Sequence, residues 1–496
     1  MKRFALVVAA CALSACGSST SITSTTTSLD SGAPGGKMQL HREGRWLVDS
    51  LGRVVMIHGV NTVWKTPPYA PPAEPKGFID VDADWLHDHG FNGARIGTLF
   101  VGIMPNKNQV DPSYLDLWDR VVQLMTSRGV YVLFDFHQDM YNERYAGEGF
   151  PNWAVNDNGI PMPVNLGFPA NYFLPACSQA FNNFWLNTDG LWESYRQAWT
   201  AVAARWNNQD HVMGYDLMNE PWPGSQIFSC MNPLGCPVFD AEYLQPMQEY
   251  AMAGIRQVDQ SNVVWFEPQL IFNDGAQTNL GLLNPIPDPN IGLSWHTYCT
   301  VGSFVHSYGF SDIPGCVQQN ALVANHADQA IARMGATTLI TEFGASDDLA
   351  DIADVTGNAD AHLTGWMYWH YKEWADPTTE SQTSGGQGLF TDDTDLSTVK
   401  MAKLMILERT YPQATAGTPE ALTFDPTTAA FHYRYAPRDA AGPTEIHVPA
   451  IHYPNGYTVT VTGADVTSAP GATTLTLQNQ TGATDVDVAI APASGS

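Results

Sequence analysis

Positive charge is scarce in this chain. Its 23 Lys and Arg are set against 50 Asp and Glu, a formal net charge of −27. The basic footprint that nucleic-acid binding requires is therefore missing, as is the polybasic surface that docks electrostatically on anionic membranes. Charged residues of both signs make up only 15%, against 44% hydrophobic residues, which excludes a disordered chain and fits a globular one. No Cys/His spacing has the pattern of a zinc site, and no metal or organic cofactor is expected. The apolar run Phe4–Leu13 is too short to span a bilayer as a mature helix. What the acidic balance does suit is solubility outside the cell. The length, 496 residues, allows two domains and a large core.

The first residues read as a targeting segment. Lys2 and Arg3 form a basic n-region, Phe4–Leu13 an apolar h-region, and Leu13-Ser14-Ala15-Cys16-Gly17 resembles a bacterial lipobox. Lipidation at Cys16 would make residues 1–16 the signal and the protein a cell-envelope lipoprotein; secretion with cleavage nearby is the alternative. Residues 17–37 are rich in Ser, Thr and Gly and read as a flexible tether. Of seven cysteines, Cys11 leaves with the signal and Cys16 carries lipid. Export permits disulfides. The local pairings are Cys230 with Cys236 and Cys299 with Cys316, leaving Cys177 over, although spacing alone does not fix connectivity.

From residue 38 to 413 short β-rich runs alternate with longer amphipathic segments. The strand candidates are Val54–Val60, Gly93–Gly97, Val130–Phe136, Val212–Met218, Val263–Glu267, Gly292–His296, Thr338–Glu342 and Gly365–Trp369. Helical stretches such as Tyr114–Arg128, Leu191–Trp206, Ala241–Gln257 and Leu396–Glu408 fall among them. This alternation predicts an α/β fold, a (β/α)₈ TIM barrel. The turn signal Asp49-Ser50-Leu51-Gly52 predicts a small β-plug at its floor. After Tyr411-Pro412 the pattern becomes period-two runs separated by turns such as Asn455-Gly456, which predicts an antiparallel β-sandwich over 414–496. Its expected role is packing or accessory, with carbohydrate binding as the lesser alternative. Three loops on the expected catalytic face, 137–190, 222–239 and 301–310, are apolar or aromatic. They either fold on themselves as small cores or form a greasy rim.

Two strand ends carry the chemistry. Asp216-Leu-Met-Asn219-Glu220-Pro221 and Leu339-Ile-Thr-Glu342-Phe343-Gly344 each run an apolar strand into a glutamate. Their separation suits three βα units, and side chains at the C-terminal ends of barrel strands point into the site where such barrels react. Paired carboxylates in that position are the equipment of a retaining glycosidase, one as nucleophile and one as proton donor. Other strand ends add Arg95, His137 with Asp139, Asn219, His296 with Tyr298, and Trp369. Packing alone does not explain polar and aromatic side chains at so many strand ends.

These residues, taken in order, resemble glycoside hydrolase family 5. Asn61-Thr-Val-Trp-Lys65, Asp135-Phe-His-Gln-Asp-Met-Tyr141, Tyr215-Asp-Leu-Met-Asn-Glu-Pro221 and Pro443-Thr-Glu-Ile-His-Val448 narrow the resemblance to its endoglycoceramidase-like group, over roughly residues 40–490. The resemblance implies Glu342 as nucleophile and Glu220 as acid/base. It also implies that Asn219 holds the sugar 2-hydroxyl, that Trp369 is a stacking platform, and that Lys65, His137 and Asp139 bind sugar hydroxyls. Arg95 and Tyr298 beside Glu342 would keep it ionised. The implied reaction is cleavage of the β-linkage between glycan and ceramide in a glycolipid, with membrane contact through a lipid anchor and the apolar rim, by a monomer. A glucosidase of glucosylceramide or steryl glucosides, or an endo-β-glucanase, are the enzymatic alternatives. A glycan-binding lipoprotein with a dead barrel would require the loss of one carboxylate, and both are present.

Overall fold

The first described strands form a meander, β1 (His41–Glu43), β2 (Trp46–Val48) and β3 (Val54–Val55), in the computed structural model, which describes residues 37–299, 315–374, 376–378 and 386–493. The Asp49 carboxyl makes its second turn by accepting the N–H groups of Leu51 and Arg53. Eight strands then close a parallel barrel: β4 (His58–Thr62), β5 (Gly93–Gly97), β6 (Tyr131–Asp135), β7 (Val212–Asp216), β8 (Val263–Phe266), β9 (Ile291–Thr297), β10 (Thr337–Phe343) and β11 (Gly365–Tyr368), with β11 returning to β4. Nearly every position in them is buried, as strands covered on both faces require. Each predicted run is there. The first divides, because Val54 and Val55 leave the barrel to pair with β2 and with a strand from the far end of the chain.

Helices pack outside through stripes at helical spacing. Helix Leu191–Trp206 buries Leu191, Tyr195, Ala198, Trp199, Val202 and Trp206, and Trp199 stacks on Phe136 at 3.7 Å. Helix Pro112–Thr126 begins with Asp111 accepting the Ser113 N–H and a proline in its first turn, the arrangement that satisfies orphan donors at a helix start. Among the described residues no helix is long and apolar enough to cross a membrane.

Past the barrel come β12 (Tyr411–Thr415), β13 (Gly417–Asp425), β14 (Ala430–Pro437), β15 (Thr444–His447), β16 (Tyr457–Thr462), β17 (Ala464–Val466), β18 (Thr474–Asn479) and β19 (Val486–Pro492). They form two sheets, ordered β1-β2-β3-β12-β15-β18-β17 and β13-β14-β19-β16. Phe424, Phe431, Tyr433, Ile446, Leu475, Leu477, Val488 and Ile490 share one core. The N-terminal meander is the expected plug at the barrel floor. It lies under the barrel, where Leu40, Leu47 and Val55 meet Leu133, Met213, Val263 and Trp265, and it also extends a sheet of the C-terminal domain. A boundary between 413 and 414 falls inside β12.

The long segment 137–190 folds on itself around helix Pro175–Trp185. Tyr141, Tyr145, Phe150, Tyr172, Phe181 and Trp185 are buried there, so its aromatics are mostly a local core and not a rim. Cys230–Cys236 and Cys299–Cys316 are disulfide-bonded and Cys177 is a buried free thiol. Cys16, the tether up to residue 36 and the 301–310 loop lie outside the described residues.

Candidate active site

The segment after β7 is held from three sides. The carbonyl of Leu217 accepts the Tyr195 hydroxyl at 2.7 Å and the Trp199 indole N–H at 3.1 Å. Gln138, three residues past the end of β6 at Asp135, donates its amide to the carbonyls of Asn219 and Glu220 at 2.9 and 3.1 Å. The N–H of Glu220, a residue in the left-handed region at φ +43°, donates to Glu267 at 2.8 Å. On the other wall, the pairing of β10 with β9 slips between Ile340 and Glu342, a bulge of the kind that re-aims a side chain. Gly344 follows at φ +95°, and a Cβ there would sit 2.3 Å from the Tyr368 ring.

The two glutamates meet. One carboxylate oxygen of Glu220 and one of Glu342 lie, with a nitrogen of His296, within 4.8 Å of one another. That is close to the spacing of a nucleophile and an acid/base, and well short of the 6.5–9.5 Å range that leaves room for a water in inverting enzymes. Glu342 is gripped at both oxygens, by Arg95 Nη1 at 2.5 Å and by the Tyr298 hydroxyl at 2.8 Å. Glu220 Oε1 accepts from Asn273 Nδ2 at 2.8 Å and faces His296 Nδ1 at 2.9 Å. Burial, with the Asp139 charge, pushes the Glu220 carboxyl up to about 8. Burial lifts Glu342 too, while the Arg95 guanidinium pulls it back toward the ionised form. Burial, aided by Arg95, outweighs the Glu342 carboxylate and presses His296 down to about 3. It is a neutral imidazole that faces Glu220 through Nδ1.

Around this pair lie two cages. Arg95 is fully buried and reaches Asp216 at 2.9 Å, Asp135 at 3.0 Å, Asn219 at 2.9 Å and Glu267 at 3.4 Å, besides Glu342. Lys65 holds Asp139 at 2.6 Å, Thr378 at 2.9 Å, Asp376 at 3.1 Å and Glu148 at 3.5 Å. Its ammonium stands 4.8 Å above the Trp369 ring. His137 stacks on the same tryptophan and binds Asp135 at 2.8 Å. Burial opposes its charge, yet Asp135 and Asp139 hold the imidazole up to about 9. Acids outnumber the cations Lys65, Arg95 and His137 here. Burial accordingly drives Asp216 to about 7 and Glu148 and Glu267 well above the usual carboxyl range.

Residues 48–373 match the family model described as cellulase (glycosyl hydrolase family 5), and residues 409–490 match the glycoside hydrolase family 5 C-terminal domain. Endoglycoceramidase I of Rhodococcus hoagii (strain 103S) is 37% identical over 443 residues, 88% of this chain and 85% of that protein. The chain belongs to glycosyl hydrolase family 5. Endo-glycoceramidase II from a Rhodococcus species, solved as a ganglioside GM3 complex, superposes with a TM-score of 0.74 at 27% identity, covering 91% of this chain and 100% of that one. The same enzyme solved as a lactosyl-enzyme intermediate gives a TM-score of 0.74 at 28% identity, with 90% and 100% covered. Family 5 membership makes the protein an O-glycosyl hydrolase on a TIM barrel.

In this family 5 barrel the residues singled out from sequence converge: Lys65, Arg95, His137, Asp139, Asn219, Glu220, His296, Tyr298, Glu342 and Trp369 join in contacts at the C-terminal ends of the strands. Two are more enclosed than expected. Asn219 is engaged at both ends, by Arg95 and by the Gln138 carbonyl, and Trp369 is 2% exposed. Sequence reading missed Glu267, Asp135, Asp216, Glu148, Asn273 and Asp376. Glu267 had a signal, since its strand was read as ending on an acid like the two glutamates chosen. Of the three groups with metal-like donor geometry among the described residues, two lie here, Glu220 with His296 and Glu342, and His137 with Asp139 and Glu148. In each a cation is already in place: Arg95 on the first and Lys65 on the second.

One loop at this face is apolar and exposed. From Pro221 to Phe239 there is no charged side chain. Phe228 is 78% exposed, Leu234 69%, Val238 56% and Met231 54%, and the Cys230–Cys236 bridge clamps them. A second uncharged stretch, 275–287, lies against it through Gln277 N–H to Pro233 O and Asn279 Nδ2 to Leu234 O.

Proposed function

We propose that this family 5 hydrolase cleaves the β-glycosidic bond between glycan and ceramide in glycosphingolipids, with net retention. The observation that carries the reading is the Glu220–Glu342 pair, oxygens within 4.8 Å, opening beside a clamped loop of uncharged, exposed apolar residues. A carboxylate pair at that spacing suits double displacement. An amphiphilic substrate with a sugar on one side and acyl chains on the other suits the juxtaposition. The likeness along both domains to endoglycoceramidases supports the same substrate class.

Glu342 attacks the anomeric carbon as Glu220 gives its proton to the departing ceramide oxygen. Arg95 and Tyr298, each on one Glu342 oxygen, keep the nucleophile ionised and oriented. Once Glu342 is esterified its charge is gone, and Glu220, having given its proton to the leaving oxygen, deprotonates water as a base. His296 and Asn273 hold Glu220 Oε1 through both steps. Lys65, His137, Asp139 and Trp369 form the wall that receives the sugar. The exposed loop around Phe228 meets the ceramide and the lipid surface around it, and lipidation of Cys16 holds the enzyme at the cell envelope.

Purified protein assayed on a fluorescent glycosphingolipid with a glycan of several sugars, on glucosylceramide and on a soluble β-glucan tests this. Release of the intact glycan together with ceramide is expected. Glucose release from glucosylceramide alone, or cleavage of the β-glucan alone, overturns the substrate assignment.

A further inference from the structure

We infer that Glu267 is the positioning residue of the acid/base: its carboxyl fixes the main chain of Glu220 in the conformation that aims that side chain at the leaving oxygen. The inference rests on Glu220 being the acid/base.

Glu267 stands one residue past β8, on a different strand end from Glu220, and is 1% exposed. Its Oε1 accepts the Glu220 N–H at 2.8 Å. That N–H belongs to a residue at φ +43°, a region that non-glycine residues occupy only when their surroundings over-determine it. An extended conformation would continue the strand and turn the carboxyl away from Glu342. Glu267 is itself firmly placed, since its carbonyl accepts Gln248 Nε2 at 2.7 Å and its Oε2 lies 3.5 Å from Ser294 Oγ. It also borders the other end of Glu220: His296 presents Nδ1 to Glu220 Oε1 at 2.9 Å and Nε2 to Glu267 Oε1 at 3.6 Å. The simpler role, counter-ion to Arg95, is already filled. Glu342, Asp216 and Asp135 lie at 2.5, 2.9 and 3.0 Å from that guanidinium, and Glu267 at 3.4 Å. Glu267 meets Glu220 at the main-chain N–H, so it acts through Glu220.

The test is kcat/KM across β-glycosides of graded leaving-group ability for Glu267→Asp, Glu267→Gln and Glu220→Ala. Aspartate, one methylene shorter, withdraws the carboxyl from the Glu220 N–H. It should lose about 10- to 100-fold on an alkyl or ceramide leaving group and less than about threefold on dinitrophenolate, which needs no proton. Glutamine, whose carbonyl reaches the N–H, should recover most of that loss. Equal losses of Glu267→Asp on all leaving groups, no loss at all, or glutamine faring worse than aspartate overturns the inference. If Glu267→Asp does not fold, the glutamine variant decides: a native leaving-group dependence supports the inference and a steeper one overturns it. If Glu220→Ala itself shows no leaving-group dependence, the acid/base assignment fails and the inference with it. If Glu220→Ala shows the dependence and Glu267→Asp does not, only the role of Glu267 falls.

Discussion

Raising the pH through the Glu220 titration should abolish the reaction in a way that depends on the leaving group. The acid form is required, and burial pushes this carboxyl from 4.5 to about 8. That displacement amounts to roughly 5 kcal/mol in favour of the proton. At pH 7 about nine in ten Glu220 side chains are then protonated, against well under about 1% for an ordinary glutamate, a gain of roughly 300-fold in the working form. Since the pKa is raised, the acid is fully present below about 8 and is lost above it. The kcat/KM for a glycolipid should therefore fall about tenfold per pH unit beyond that point. A dinitrophenyl β-glycoside departs without protonation, so its kcat/KM should stay level over the same range. Glu220→Gln should remove the alkaline limb for the glycolipid while lowering the plateau by about 10²- to 10⁴-fold. Both profiles are measurable by initial rates in one buffer series. An alkaline limb of the same position with the dinitrophenyl substrate, or a glycolipid limb near pH 5, would refute the assignment of the proton to Glu220.

Other outcomes follow from the same geometry. Glu342→Ala should lose turnover on every leaving group, and azide should restore it with formation of an α-azide, whereas azide with Glu220→Ala should give the β-azide; gas or NMR product analysis of the anomer checks both. Phe228→Ser and Leu234→Ser should raise the apparent KM on glycosphingolipid vesicles about 5- to 30-fold each, since side chains this exposed stand to gain about 1–2 kcal/mol on entering lipid, and should spare a small aryl glycoside. Parallel loss on both substrates would mean that the loop is merely structural. Trp199→Ala, which removes the Phe136 stack and the Leu217 hydrogen bond, should cost about 3–5 kcal/mol in chemical denaturation.

Much of this site was legible in the sequence because barrel chemistry is written at strand ends. An apolar run that stops on Glu220 or Glu342 announces both the strand and the direction of the side chain. Asp135 and Asp216 close β6 and β7, but the apolar runs continue past them to Phe136 and Met218 and hide those ends, and only barrel closure brings Arg95 from β5 between them. Lys65 was found, but its partners Glu148 and Asp376 come from loops that no periodicity orders. Aromatic content misled in the opposite way. Tyr141, Tyr145 and Phe150 look like a rim in composition and are buried, because a segment this long must supply its own core. Phe228 and Leu234 stay outside because a short disulfide loop has no interior. The N-terminal hairpin was recognised as a hairpin; that it pairs with a strand some 360 residues later is information of register, not of pattern.

That last pairing has a bearing on how the protein is made. β3 finds its edge partner only when β12 exists, so the first strands wait for nearly the whole chain to be synthesised before their backbone groups are satisfied. Residues 414–496 cut away by themselves would lose β1–β3 and most of β12 from one sheet, and a barrel ending at 413 would leave an open strand edge at its floor. The two ends of the chain are stitched into a single selvedge, and trimming either one frays the other.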